Sequence, residues 1–179
     1  ETVYQIGIAE TLFMSDWEDD AVRKNVVIRP RLALSFEFDS ANVPPKHVDF
    51  KIRKGVKFHN GQEMTAADVA FSFNNANGRT NTDSIHGQAG YFAPLIEEMV
   101  VLDDDTVRVK YFSFDSRGIV HRFSTFWQSA GIFSKQVYDD YVASEGGKDA
   151  GAEKMRDNYI GTGPYKLVEW EKQTQIVVE

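Results

Sequence analysis

Few residues in this chain have the types and spacing that chemistry needs. The stretch Ile160 to Lys166, IGTGPYK, carries Gly161 and Gly163 at the spacing of a phosphate-binding loop. Such a loop cradles an anion with backbone N–H groups, and a helix N-terminus follows directly behind it. Pro164 has no N–H to give, and Tyr165, Leu167 and Trp170 alternating with Lys166 and Glu169 predict a strand behind the glycines. The full dinucleotide fingerprint is missing as well. The stretch is therefore expected to be a turn that feeds a strand, with no nucleotide on it.

The other reactive types point the same way. His47, His59, His86 and His121 form no i, i+4 pair and have no carboxylate at ligand spacing, which predicts surface or turn histidines in place of a zinc site. Asp103, Asp104 and Asp105 could suggest calcium, but the rest of a calcium loop's ligand spacing is absent, and a charged hairpin tip accounts for them. There is no Gly-x-Ser-x-Gly elbow and no Ser-x-x-Lys. The paired carboxylates Glu97-Glu98 and Asp139-Asp140 are neighbours in sequence, not partners across a cleft. With no cysteine, disulfides, thiolate metal sites and thiol nucleophiles are excluded. The expectation is a protein that is not an enzyme and uses no cofactor or metal.

Composition narrows the partners. A chain of 179 residues, 42% hydrophobic and 26% charged, can bury one sizeable core. Its net charge of -7 argues against nucleic acid, and the most basic stretch, KIRKGVK from Lys51 to Lys57, reads as the solvated face of a strand. No apolar run approaches the ~20 residues of a membrane span. Val3 to Ala9 opens within apolar residues, and Gln173 to Glu179 stops inside a strand-like run, so a piece of a longer chain is expected.

The elements that must position any site are legible between these landmarks. Leu32, Leu34, Phe36 and Phe38 alternate, DSANVPP turns the chain, and Val48, Phe50 and Ile52 alternate with Asp49, Lys51 and Arg53, which predicts a hairpin. Val56 and Phe58 could extend its second strand. Thr65 with Asp68 three residues on predicts a capped helix carrying Ala66, Val69, Ala70 and Phe73 on one face, with Gly78 near its stop. The loop from Asn77 to Gly90 is long for an idle connection. A second hairpin turns at Asp103 to Asp105, Ser134 caps a helix containing Val137 and Tyr141, and EGGKDAGAEKMRDN reads as a soft connection. The segment from Arg117 to Phe133 mixes helical and strand patterns. The pairs Tyr91-Phe92 and Phe126-Trp127 could stack on a sugar or a peptide, or simply fill a core.

The run FKIRKGVKFHNGQEMTAADVAFSF (Phe50 to Phe73), with ETLF (Glu10 to Phe13) and RPRLALSFEF (Arg29 to Phe38) before it and IGTGPYKLVEW (Ile160 to Trp170) after it, resembles the family 5 extracellular solute-binding proteins. These are peptide, oligosaccharide and nickel receptors of ABC importers. The resemblance implies a mixed α/β chain, part of a type II periplasmic-binding-protein-like fold of two lobes. The chain would supply only the first lobe: an outer subdomain over about 10–155 and returning strands of the main subdomain over about 156–179, with the second lobe absent. It implies an extracytoplasmic or periplasmic receptor for a small solute, an oligopeptide first and then an oligosaccharide or nickel chelate. That receptor would work with an ABC permease and be peripheral to the membrane through the permease or a lipid anchor. In peptide-binding relatives the loop after the capped helix brings an aromatic to the ligand. This makes Tyr91 and Phe92 the candidate contacts, with Trp127 as a third. Arg53, Gly55, Val56, Phe58, Gly61, Thr65, Asp68 and Gly161 to Tyr165 are expected to build the lobe. DSANVPPKH replaces the family's short Asp-Gly turn, and Asn60 replaces an Asp. The alternatives are a sensing or chaperone-type receptor, or a non-catalytic lobe of a larger enzyme.

Overall fold

The computed structural model describes residues 7–19, 24–76, 95–125 and 131–179. Strands β1 (Phe13–Asp19) and β2 (Lys24–Pro30) form an antiparallel hairpin. Strands β3 (Ala33–Phe38) and β4 (His47–Ile52) make the predicted second hairpin. Helix α1 (Ala66–Ala76) follows, then β5 (Ile96–Asp103) and β6 (Thr106–Tyr111), which complete an antiparallel sheet of order β3-β4-β6-β5.

The period-two pattern of β4 decides which face is inside. Val48, Phe50 and Ile52 are buried, and across the ladder Val48 faces Val109 and Phe50 faces Val107. On the other face Asp49 lies opposite Arg108, which grips both its carboxylate oxygens at 2.7 Å. Such a two-pronged cross-strand pair fixes register as well as adding attraction.

In β3 the expected alternation is broken by a bulge between Ala33 and Ser35. Leu32 and Ala33 are both buried, whereas Leu34 is 44% exposed. A bulge adds a residue to one strand and re-aims the side chains beyond it. Phe36 and Phe38 then sit at the rim of the core, in an edge-to-face series that runs Phe13, Phe36, Phe38, Phe114, Tyr111.

Val56 and Phe58 do not prolong β4. The chain turns at Gly55, whose φ of +76° is left-handed backbone that favours glycine, and Phe58 drops into the core. The return leg is secured by a single bridge between Lys57 and Glu63. Helix α1 then starts as its cap predicts. Asp68 Oδ2 accepts from the Thr65 N–H at 2.8 Å and from its hydroxyl at 2.7 Å, while the Asp68 N–H donates back to the hydroxyl. Asp68 Oδ1 also accepts from the Lys135 N–H at 2.8 Å, 67 residues away. We predict that Asp68→Ala costs about 2 kcal/mol, because two backbone donors lose an acceptor in a buried setting. Urea unfolding of the variant beside the parent chain measures it, and a loss under about 0.5 kcal/mol would contradict this assignment.

The three aspartates occupy the β5–β6 hairpin end as expected. The Lys51 ammonium hydrogen-bonds the Asp105 carboxyl and, with Lys54 and Asp103 assisting, holds it down at about 2. That is an ion-paired strand tip.

Beyond the sheet, the unresolved pattern from Arg117 onward becomes the short helix α2 (Gly118–Arg122), after which the Phe123 carbonyl accepts from the Phe13 N–H at 2.9 Å. Helix α3 (Lys135–Glu145) starts at the predicted Ser134 cap. The soft connection is corrected to a helix, α4 (Lys148–Asp157), packed against α3 so closely that a Cβ on Gly151 would lie 2.7 Å from the Val142 backbone. The chain ends in the hairpin β7 (Leu167–Glu171) and β8 (Gln175–Val178). Among the described residues no helix is long and apolar enough to cross a membrane.

Two apolar clusters result. The larger lies between the four-stranded sheet, α1 and Phe123, with Phe13, Phe50 and Phe73 at its centre. The smaller gathers Ile8, Phe133, Tyr138, Met155 and Tyr159 around α3 and α4. Ile160, the first residue of the glycine stretch, packs against both.

Candidate functional site

The glycine stretch spends its backbone donors on the protein itself. Gly163 N–H donates to the Ile8 carbonyl at 2.9 Å and Tyr165 N–H to the Gly7 carbonyl at 3.3 Å. Gly161 N–H donates to His59 Nδ1 at 3.3 Å. Both glycine donors are thus engaged within the chain, and a strand, not a helix N-terminus, follows them, so the phosphate reading fails on geometry as well as on sequence. The glycines are needed for closeness: a Cβ at Gly161 would lie 2.1 Å from the Ile8 carbonyl oxygen, and one at Gly163 would lie 2.1 Å from that of Gly7. Lys166 then exchanges two backbone hydrogen bonds with Glu179, and β7 begins at Leu167 as the alternation predicts.

Of the histidines, His47 lies at the start of β4 beside the buried Asp39 carboxylate, 3.6 Å away. Burial pushes that carboxyl up, but hydrogen bonds from Asn42 and from the N–H groups of Ala41 and Lys46 outweigh it and hold Asp39 low. It is a loop organiser at the DSANVPP turn. His59 is part-buried and bonded to Gly161 and Gly163, a role the sequence reading as a turn histidine missed. Its partners are 102 and 104 residues away, and no local spacing could have signalled them.

The three candidate contacts, Tyr91, Phe92 and Trp127, lie outside the described residues, as do Gly78 and His86. The residues on either side of these segments are described. Residues 77–94 leave from the end of α1, and residues 126–130 leave three residues after Phe123. Phe73 of α1 and Phe123 pack with ring centroids 5.1 Å apart and planes tilted by 59°. The described residues after each segment are also bonded to α1. Asn74 holds the Met99 N–H and carbonyl of β5 at 2.8 Å each, and Ser72 Oγ accepts from the Phe133 N–H at 2.8 Å. The last turns of one helix therefore hold the described residues that flank both aromatic-bearing segments.

A separate cleft of about 450 Å³ lies between α3, the end of α4 and β7, lined by Tyr141, Tyr159, Trp170, Leu167, Asp157 and Glu169. The Lys154 ammonium stands 4.9 Å from the Tyr141 ring centroid, and Lys172 pairs with Asp157. Among the described residues no group of three His, Asp or Glu side chains could hold a metal ion.

Residues 27–179 match the family of bacterial extracellular solute-binding proteins, family 5 middle. The chain belongs to family 5 of the bacterial extracellular solute-binding proteins. This is a family of binding proteins. The dipeptide-binding protein of Escherichia coli is 31% identical over 146 residues, covering 73% of this chain and 25% of that protein. Heme-binding protein A of Haemophilus influenzae is 28% identical over 167 residues, covering 83% of this chain and 28% of that protein. Among solved structures, the periplasmic binding protein DppA from Helicobacter pylori in complex with the peptide STSA superimposes with a TM-score of 0.72 at 25% identity. That match covers 98% of this chain and 34% of DppA. The family 5 chain thus has the mixed α/β architecture of part of a periplasmic binding protein, and it spans 25% to 34% of the length of these three relatives.

Proposed function

We propose that this family 5 chain is part of the extracytoplasmic substrate-binding component of an ABC importer. That component captures an oligopeptide or another small solute by closing two lobes on it, and hands it to a permease. In this reading residues about 10–155 form the outer subdomain of the first lobe and about 156–179 the returning strands of its main subdomain. The protein works in the periplasm or outside the cell, held at the membrane by the permease or a lipid anchor. It performs no covalent chemistry: affinity comes from stacking and hydrogen bonds contributed by both lobes.

The observation that carries this reading is that, in a family 5 chain, the described residues flanking both aromatic-bearing segments are fastened to one helix, α1. In this reading Tyr91, Phe92 and Trp127, in segments whose ends are fastened to α1, are the contacts this lobe offers to a solute. A helix fixed by Asp68 and Asn74 supplies the rigid base that loop-borne contacts need. Native mass spectrometry of the full-length polypeptide, purified without denaturant, tests the proposal. The expected result is a non-covalent adduct with the mass of one or more short peptides, released intact on activation. A solute recovered in chemically altered form, or no small-molecule adduct either as purified or with peptides, oligosaccharides or nickel chelates supplied in excess, would contradict it.

A further inference from the structure

Where the glycine stretch crosses between the two apolar clusters, one side chain, His59, hydrogen-bonds it twice. Three segments meet there: Gly7 and Ile8 ahead of β1, the turn after β4 that contains His59, and the glycine stretch ahead of β7. The glycine stretch has little of its own to fasten with. Pro164 lacks a donor, the glycines lack side chains, and the buried Thr162 hydroxyl has no hydrogen-bond partner.

His59 makes up for this with three hydrogen bonds. Its N–H donates to the Gly161 carbonyl at 3.0 Å, its Nδ1 faces the Gly161 N–H at 3.3 Å, and its Nε2 faces the Gly163 carbonyl at 2.8 Å. The partners leave no choice of proton position. A backbone N–H can only donate, so Nδ1 must accept. A carbonyl can only accept, so Nε2 must carry the proton. The ring is held as the neutral Nε2–H form, with donor and acceptor each matched to one peptide group of the turn.

We propose that His59 is a positioning residue of the receptor. Through this tautomer-specific latch it sets the glycine turn, and with it the placement of the β7–β8 hairpin against the sheet that carries α1. Gly161 and Gly163 each touch His59 on one side and the Gly7–Ile8 backbone on the other, so a shift at the ring is passed to both incoming segments. The effect on solute rests on the receptor reading above; the latch itself does not.

The experiment separates the two. In the full-length polypeptide labelled with ¹⁵N-histidine, the His59 resonances, assigned as those lost in His59→Gln, are expected to show a pyridine-type Nδ1 and a pyrrole-type Nε2 at neutral pH. Protonated Nδ1 would overturn the latch. Hydrogen exchange at the Gly161 amide is expected to rise roughly tenfold in His59→Ala, the size of one net hydrogen bond, with Gly163 and Tyr165 following. The amides of β4 and β6 should keep their protection, which distinguishes the latch from general loss of fold. His59→Asn places an acceptor at the Nδ1 position and should restore Gly161 protection, whereas His59→Gln places a donor near the Nε2 position and should not. Equal effects of all three variants would overturn the tautomer argument. Release of the co-purified solute is expected to be faster in His59→Ala and slower again in His59→Asn. Unchanged release, with the exchange pattern as expected, would overturn the positioning role, and absence of any solute would count against the receptor reading alone.

Discussion

Gly161→Ala is expected to lower the stability of the chain by about 3 kcal/mol or more, one of the two largest losses anticipated for a single substitution here. Added methyl groups in a filled site cost typically about 1–3 kcal/mol when neighbouring side chains can yield. Here the neighbour is backbone: the new Cβ would lie 2.1 Å from the Ile8 carbonyl oxygen, 2.8 Å from the Ile8 carbonyl carbon and 3.1 Å from the Tyr159 ring. Ile8 is fully buried in the smaller cluster and also accepts from the Gly163 N–H, so it cannot move without breaking a second contact. Gly55→Ala is the control. It has φ of +76° but nothing within 4 Å of a Cβ, so only the backbone penalty of about 1 kcal/mol applies. Denaturant unfolding of both variants should place Gly161→Ala well below Gly55→Ala. Equal midpoints would show that the two segments are not pressed together at this turn.

Phe50→Ala is expected to cost about 4 kcal/mol, near the top of the range for deleting a buried aromatic ring. Phe50 is 0% exposed and is the ring on which the sheet and the crossing segments converge: its centroid is 5.6 Å from that of Phe13 and 4.8 Å from that of Phe123. Phe123 in turn packs on Phe73 of α1, so the void opens directly beneath the helix that holds the residues flanking both aromatic-bearing segments. The loss should therefore appear in global unfolding and also as greater exchange at the end of α1. Phe50→Leu keeps most of the volume and should cost less than half as much. A Phe50→Ala loss below about 2 kcal/mol would mean that these rings are not the centre of the larger core.

How much of this was legible beforehand depends on how local the cause is. The β3–β4 hairpin, the β5–β6 hairpin, the Thr65–Asp68 start of α1 and the Ser134 cap of α3 are all set by residues within a few positions of one another, and each could be read directly. Helix α4 could not. Its buried contacts amount to Gly151, Ala152 and Met155, and the glycine that looks like a helix breaker in sequence is what lets α3 come close. The β3 bulge was hidden for a related reason, since Leu32, Leu34, Phe36 and Phe38 alternate without fault and only pairing with β4 inserts the extra residue. Gly55 was visible, but that it ends β4 and sends Phe58 inward depends on the core beneath.

The candidate site divides along the same line. The long loop, its aromatics and the family signature are properties of the string. The fastening to α1 of the residues that flank the two segments rests on Phe73 with Phe123 and on Ser72 with Phe133, pairs 50 and 61 residues apart. His59 is the extreme case, since the chemistry of its ring is fixed by two peptide groups more than a hundred residues downstream.

Isothermal calorimetry on the 179-residue chain beside the full-length polypeptide tests the central claim most directly, with the solute recovered from the full-length form as titrant. If, as proposed, a solute is held by stacking and hydrogen bonds from two lobes, it should bind the full-length form and give no measurable heat with the chain alone at micromolar concentrations. Micromolar binding by the 179-residue chain alone would contradict the account.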